Sequence, residues 1–231
     1  MLSFATAIGW RLALCLVAGA MPATAQSPDP AAAGPTLQRH ANFAGEAASS
    51  DARAVADWIA ASTDNRGLPF VIIDKLAAKV FVFDSHGVIQ GAAPALLGLA
   101  RGDDSVEGIG QRKLATIGRA ERTTPAGRFV AALGHDFEQD ILWIDYDAAL
   151  SMHRVIVGNS ADRRHARLAS PTSLDNRISY GCINVPARFY DRVVAPAFKG
   201  TVGIVYILPE TRPIAAVFAM HGTSIPGIPG P

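Results

Sequence analysis

Cysteine is nearly absent from this chain. Two occur in 231 residues, Cys15 and Cys182. A dithiol redox pair needs a second thiol, and no CxxC, HExxH or P-loop pattern occurs, so the motif-based metal and nucleotide sites are excluded. Charge of one sign is also missing: 21 Lys+Arg stand against 20 Asp+Glu. With no basic excess, nucleic acid is a poor partner. No repeat or heptad run is present. The one long apolar run, Leu12 to Ala20, falls short of the roughly 20 residues that a spanning helix needs.

That run is nevertheless informative. Residues 1–25, MLSFATAIGWRLALCLVAGAMPATA, carry one charge, Arg11, and no acid. Pro22 breaks the apolar stretch, and Ala23-Thr24-Ala25 has the small-x-small pattern of a signal-peptidase site. The expectation is a cleaved secretory signal, an exported periplasmic chain, and no membrane insertion after cleavage. Cys15 lies between two leucines, which does not suit a lipoprotein site. Loss of Arg11 leaves 20 basic against 20 acidic residues, and loss of Cys15 leaves Cys182 alone.

The remaining chain suits one domain of ordinary size. Residues 26–46, rich in Ala, Pro and Gly, lack a hydrophobic period and read as a disordered linker. Residues 47–66 contain a helix, with Val55, Trp58 and Ile59 at i, i+3 and i+4, Ser50 or Asp51 as cap, and Asn65-Arg66-Gly67 as stop. From residue 67 to 210 the texture is β. Strand candidates are PFVIIDK, AKVFVFD, GRFVAALG, DILWIDYD, ALSMHRVIV and VGIVYILP. Without helices regularly between them, they predict a mainly β, antiparallel sandwich or barrel-like domain. One helix is expected in VPARFYDRVVAPAF, with Pro186 in its first turn. Residues 211–231 form a Pro/Gly-rich tail.

A lone thiol in an oxidising compartment is a buried small hydrophobe, an intermolecular bridge or a reactive group. Composition favours the first. The surroundings of Cys182 point to the last. Gly181 permits a backbone bend, a helix start a few residues later would favour thiolate, and N–H groups at such a bend can face an oxyanion. A thiol nucleophile needs a base. His40 lies in the linker, His221 in the tail, His86 in a turn, His135 in a loop and His165 in a charged insertion. His153 lies on a strand, where alternation groups it with Ser151 and Val155, opposite Leu150, Met152 and Arg154. A strand is the more rigid platform. The adjacent acids Asp103 and Asp104 read as a solvated turn. No Gly-x-Ser-x-Gly surrounds Ser151 or Ser179.

Ser179-Tyr180-Gly181-Cys182-Ile183-Asn184, preceded by a strand histidine, resembles the signature of L,D-transpeptidase catalytic domains. Thr124-Pro125-Ala126-Gly127-Arg128-Phe129 resembles a second hallmark of that family, and VIIDKLAAKVFVFD its opening hairpin. The resemblance spans residues 69–208. It implies Cys182 as nucleophile, His153 as general base, and the backbone of Tyr180, Gly181 and Cys182 as the oxyanion pocket. It also implies peptidoglycan stem peptides as substrate, a thioester acyl-enzyme, release of D-alanine, and no cofactor or metal. Arg177, Ser179 and Asn184 are candidates for substrate binding. Two departures stand out. Tyr180 replaces the motif histidine and cannot carry an imidazole's charge. Twenty-five residues separate His153 from Ser179, more than is usual in the family. The extra stretch GNSADRRHARLASP reads as a solvated loop whose Arg163, Arg164 and Arg167 could alternatively meet a carboxylate. The same scaffold would also suit an L,D-carboxypeptidase or hydrolase. A non-catalytic wall-binding protein with a buried Cys182 is the reading from another class.

Overall fold

The computed structural model describes residues 39–136 and 139–220. The expected signal peptide, most of the expected linker and the end of the tail, with His221, lie outside the described residues. Among those described, no helix is long and apolar enough to cross a membrane.

The domain is mainly β. Among the described residues ten strands form: β1 Phe70–Asp74, β2 Lys79–Phe83, β3 Ile89–Pro94, β4 Leu97–Gly98, β5 Gly127–Asp136, β6 Gln139–Asp145, β7 Leu150–Arg154, β8 Arg177–Ser179, β9 Ile183–Val185 and β10 Val202–Ile207. Eight of them make one sheet in the order β3-β2-β1-β10-β5-β6-β7-β9, and β4 pairs with β8. Antiparallel pairings dominate, but β1·β10, β7·β9 and β4·β8 are parallel. The far edge strand β9 reaches back to the start. Asn184 exchanges backbone bonds of 2.8 and 2.9 Å with Leu96, two residues beyond β3. The sheet therefore comes close to closing on itself, which leaves few exposed edges.

β1 explains why its sequence is apolar without alternation. Its five residues are all buried. Val71 and Ile73 face the interior of the curved sheet with Val80, Leu142, Met152 and Val205. Phe70 and Ile72 face the opposite way, against α1 (Ser50–Ser62). A strand covered on both faces has no polar side to present. α1 buries Val55, Trp58 and Ile59, the residues of its 3.6 period. Its cap is Ser49 rather than Ser50 or Asp51. Ser49 Oγ accepts from Ala52 N and donates to Asp74 Oδ2 at 2.6 Å, tying the helix to the end of β1. Thr63, in the left-handed region, ends it.

Two boundaries move. Residues 41–46 are not linker. Asn42 N donates to Gly87 O, and Phe43 is buried edge-on against Phe81 and Phe83. Burying such a ring is worth about 1.5–3 kcal/mol, enough to hold a short segment on the domain. Residues 211–218 are not a fraying tail either, because Ile214 and Phe218 join the α1 cluster. The helix after Cys182 begins as α3 (Ala187–Phe189). It continues through a π-helical stretch (Tyr190–Val194) and closes as α4 (Ala195–Ala197). Pro196 has no N–H to offer one turn back, and Ala195 N reaches Tyr190 O instead.

A charged cluster lies inside the fold. Lys75 follows β1, and its side chain is wholly buried. Its Nζ donates to Gly102 O (2.6 Å), Asp103 Oδ1 (2.7 Å) and Thr124 O (2.8 Å). Glu210 Oε1 lies 3.8 Å away, and Arg177 forks onto Glu210 while also donating to Lys75 O. Two cations thus meet two anions. The reading of Asp103 and Asp104 as one solvated turn is half corrected. Asp104 is exposed and Asp103 is buried, because Lys75 supplies the countercharge that water would otherwise provide. Burial alone would raise the Asp103 pKa. The bonds from Lys75, from the Thr211 hydroxyl and from the N–H groups of Glu210 and Thr211 outweigh it and hold the carboxyl well below its usual range.

Removing one partner of this cluster strands a buried charge. Lys75→Met is expected to lower the free energy of unfolding by about 3–5 kcal/mol, read from urea denaturation. A folded-state pKa below the unfolded one stabilises above the ordinary aspartate value, about 3.9, and that contribution fades as pH falls through the folded value. Asp103→Asn should therefore lose stability at neutral pH and show a flatter acid limb than the wild type. An unchanged acid limb would contradict the ionised Asp103.

Candidate active site

Strand register assembles the site. β7 and β9 run parallel with Met152 opposite Ile183 and His153 opposite Asn184. One residue earlier, the same register sets Ser151 beside Cys182. Leu150 and Met152 point into the core, so Ser151 and His153 share the other face, as alternation requires.

The half-buried Cys182 has three neighbours. Ser151 Oγ donates to its Sγ at 3.5 Å, and the sulfur faces Ala149 O at 3.5 Å. The third is the His153 imidazole, near enough to the sulfur for each group to shift the other's pKa. His153 Nδ1 lies 2.7 Å from Arg154 O. A carbonyl only accepts, so Nδ1 carries a proton and Nε2 is left to act as base. Burial raises the pKa of the thiol and lowers that of the imidazole. Their mutual hydrogen bond and charge attraction outweigh burial in both cases, with Ser151 helping the sulfur and the Arg154 carbonyl helping the ring. The net result is a Cys182 pKa below, and a His153 pKa above, the ordinary value. Both directions favour a thiolate–imidazolium pair.

The helix expected to aid the thiolate does not sit at the sulfur. β9 intervenes, and three extended residues at about 3.3 Å each carry the chain away before α3 begins. The macrodipole fades within a turn, so the imidazole does the work instead.

The bend at Gly181 is held by the second sequence hallmark. Thr124 is fully buried; its Oγ1 donates to Gly181 O at 2.7 Å and accepts from Gly98 N at 2.9 Å. Gly181 has φ +138°, and a Cβ there would stand 2.8 Å from Thr123 O. Both the backbone conformation and the close approach demand glycine. Ser179 Oγ accepts from Gly181 N (3.1 Å) and donates to Cys182 O (2.7 Å).

The sulfur opens into a cleft lined by Ile109, Leu114, Ile117, Pro125, Leu150 and Tyr180. Residues 109–121 form its far wall through three single 3-10 turns, braced by Arg112 forked onto Glu121. The Arg122 guanidinium stacks 3.8 Å from the centre of the Tyr180 ring, so a fixed cation accompanies the residue that replaces the motif histidine.

No protein-family model matches the chain, and no curated protein matches it. Solved structures do. The helical cell shape determining protein Pgp2 from Campylobacter jejuni aligns at 15% identity and TM-score 0.40, over 63% of this chain and 49% of that one. An Enterococcus faecium L,D-transpeptidase aligns at 16% identity and TM-score 0.36, over 60% and 49%. An L,D-transpeptidase from Mycobacterium smegmatis aligns at 14% identity and TM-score 0.35, over 60% and 58%. The chain spans about half the length of the first two.

The structure brings Cys182, His153, Gly181 and Tyr180 together, but it turns the three expected substrate ligands elsewhere. Arg177 is occupied by Glu210 and Lys75 O. Ser179 braces the bend. Asn184 is buried, with its amide taken up by Arg164, His153 and Cys182 O. Nearness in sequence to Cys182 does not indicate the direction of a side chain. His135 lies within β5 rather than in a loop, His86 is in its turn, His165 is exposed, and His40 pairs with Asp57 at 3.1 Å. The insertion is no simple solvated loop. It forms a 3-10 turn (Ser160–Asp162) and α2 (Arg164–Leu168), and Arg164 is largely buried. Ser151 and Arg164, which the sequence gives no catalytic or positioning role, also reach the site, Ser151 at the sulfur and Arg164 on Asn184. For Ser151, its strand phase with His153 was the available signal.

Alkylation of Cys182 by iodoacetamide, followed against pH, tests the pairing. The wild-type midpoint should lie below about 8.5. His153→Ala removes the favourable partner and leaves the burial, so its midpoint should rise; Ser151→Ala should raise it less. Equal midpoints in wild type and His153→Ala would refute the pair. Thr124→Val leaves Gly98 N and Gly181 O without partners, which should cost about 1–3 kcal/mol in urea unfolding.

Proposed function

We propose that this chain is a cysteine acyltransferase acting on peptidoglycan stem peptides, an L,D-transpeptidase, working in the periplasm after removal of residues 1–25. The observation that carries the reading is the parallel register that sets His153 and Cys182 on neighbouring strands, with Cys182 lining a largely apolar cleft. The resemblance of residues 179–184 and 124–129 to the family's hallmarks supports it. So does the bond by which those two segments meet, Thr124 Oγ1 to Gly181 O.

The chemistry follows from the geometry. The Cys182 thiolate attacks the carbonyl carbon at the L-centre before the terminal D-alanine. Negative charge gathers on the carbonyl oxygen. In the resting structure Gly181 N–H is committed to Ser179 Oγ, so the oxyanion role is assigned to the N–H groups of Tyr180 and Cys182. As the tetrahedral intermediate collapses, the C–N bond breaks. Imidazolium Nε2 gives its proton to the departing D-alanine amine, and a thioester remains on Cys182. Neutral His153 then takes a proton from the acceptor amine as that amine attacks the thioester. The new amide forms and the sulfur leaves as thiolate. Arg154 O holds Nδ1–H throughout, so the ring always presents Nε2 to the reaction.

Incubation with a stem tetrapeptide tests this reading. Wild type should release D-alanine and gain the mass of the acyl group on Cys182. Cys182→Ala should do neither. His153→Ala should fall by about 10²–10⁴-fold, the usual share of a general base. An active Cys182→Ala protein, or a wild type that neither acylates nor releases D-alanine, sinks the proposal. Free tripeptide as the sole product would identify water as the acceptor and a hydrolase on the same scaffold.

A further inference from the structure

Between His153 and the insertion stands a fully buried amide whose orientation is determined by its neighbours. Arg164 Nη1 lies 2.8 Å from one end of the Asn184 side chain. A guanidinium has no acceptor, so that end is Oδ1. The other end, Nδ2, lies 3.3 Å from Cys182 O and 3.3 Å from His153 Nε2. Its two hydrogens have those two acceptors, and every polar group of the amide is accounted for. Nε2 therefore receives an N–H from Asn184, on a ring that also interacts with the Cys182 sulfur. Turned over, the amide would put Nδ2 against the Arg164 guanidinium and Oδ1 against Nε2, where only a protonated ring could satisfy it.

We infer that Arg164 is a positioning residue that locks the Asn184 amide and thereby keeps His153 Nε2 available as a base. This inference deepens the reading of Cys182 and His153 as the reacting pair. Two forces act on the ring in opposite senses. The thiolate draws a proton onto Nε2; the Asn184 N–H and the Arg164 positive charge favour its release. A base must also give up what it takes, and an imidazole held too firmly as imidazolium would not accept a second proton from the acceptor. The charged and titratable groups around the ring are the Cys182 sulfur and Arg164, which is itself paired with Asp162 at 3.1 Å. The neighbouring Arg154 side chain points away to Asp140 and Asp191. Arg164 belongs to the stretch by which this chain exceeds the usual spacing between histidine and cysteine motif. The added residues thus contribute a group to the site, and α2 with its 3-10 turn is the platform that delivers it.

The test reads His153 directly, by nitrogen-15 and proton NMR of the full chain without substrate. Inactivity toward stem peptides would therefore leave the result intact. In the wild type above its midpoint, Nε2 should show the shift of an unprotonated ring nitrogen; a protonated Nε2 there overturns the inference. In Arg164→Met the positive charge near the ring is lost and only Cys182 O still holds the amide in its orientation, so the His153 midpoint should rise, by up to about one pH unit. Arg164→Lys, also a donor without an acceptor, should recover at least half of that shift. A merely structural arginine would lower the melting temperature of Arg164→Met and leave the midpoint where it was, and that outcome also overturns the inference. The wild-type measurement stands even if Arg164→Met fails to fold.

Discussion

One buried ammonium group organises this domain. Lys75 leaves the end of the central strand β1 and gathers Gly102 O, Asp103 and Thr124 O around Nζ. A charge out of water is tolerable only when surrounded by such partners, so the segments that supply them cannot drift. Asp103 in turn takes the N–H groups of Glu210 and Thr211, and Glu210 takes Arg177. The start of the cleft wall, the chain after β10 and the strand leading to the cysteine are thereby referred to one point. Thr124, whose carbonyl faces Lys75, spends its hydroxyl on Gly181. From the ammonium to the residue before Cys182 there are two hydrogen bonds and one side chain.

The juxtaposition of Cys182 and His153 depends on a second constraint, the register of two parallel strands. A one-residue slip between β7 and β9 would carry His153 to the opposite face and bring Met152 to the sulfur. The apolar contacts of Leu150, Met152, Ile183 and Val185 prevent that slip, because any other register would expose them. The core on one face of these short strands thus secures the polar geometry on the other. The sulfur's lowered pKa comes from this arrangement and not from a helix end. That leaves its state sensitive to the imidazole and to whatever governs the imidazole.

The strands rich in β-branched and aromatic residues were legible because their composition matches a buried, pleated surface, as in FVIID and KVFVF. β3, β8 and β9 were not. IQGAAP, RIS and INV are too short or too small to announce themselves, and they form because distant partners supply their hydrogen bonds. Phe43 and Phe218 sit in stretches whose Ala, Gly and Pro content reads as linker and tail, although each carries a ring with a place in the α1 cluster. Lys75 and Asp103 look like surface charges, since nothing local distinguishes a charge with a buried partner from one in water.

The sequence by itself determined the residue types of the site, the strand phase that puts Ser151 beside His153, and the glycine required before the cysteine. These are local properties, set by backbone sterics and by the alternation of side chains along a strand. The tertiary structure alone decided which groups those residues meet. It turned Arg177, Ser179 and Asn184 inward as braces, moved the helix away from the sulfur, and brought Arg164 from a charged insertion onto Asn184. Hydrogen bonds and ion pairs are directional over a few ångströms, so their partners exist only after strands far apart in the chain have taken their register.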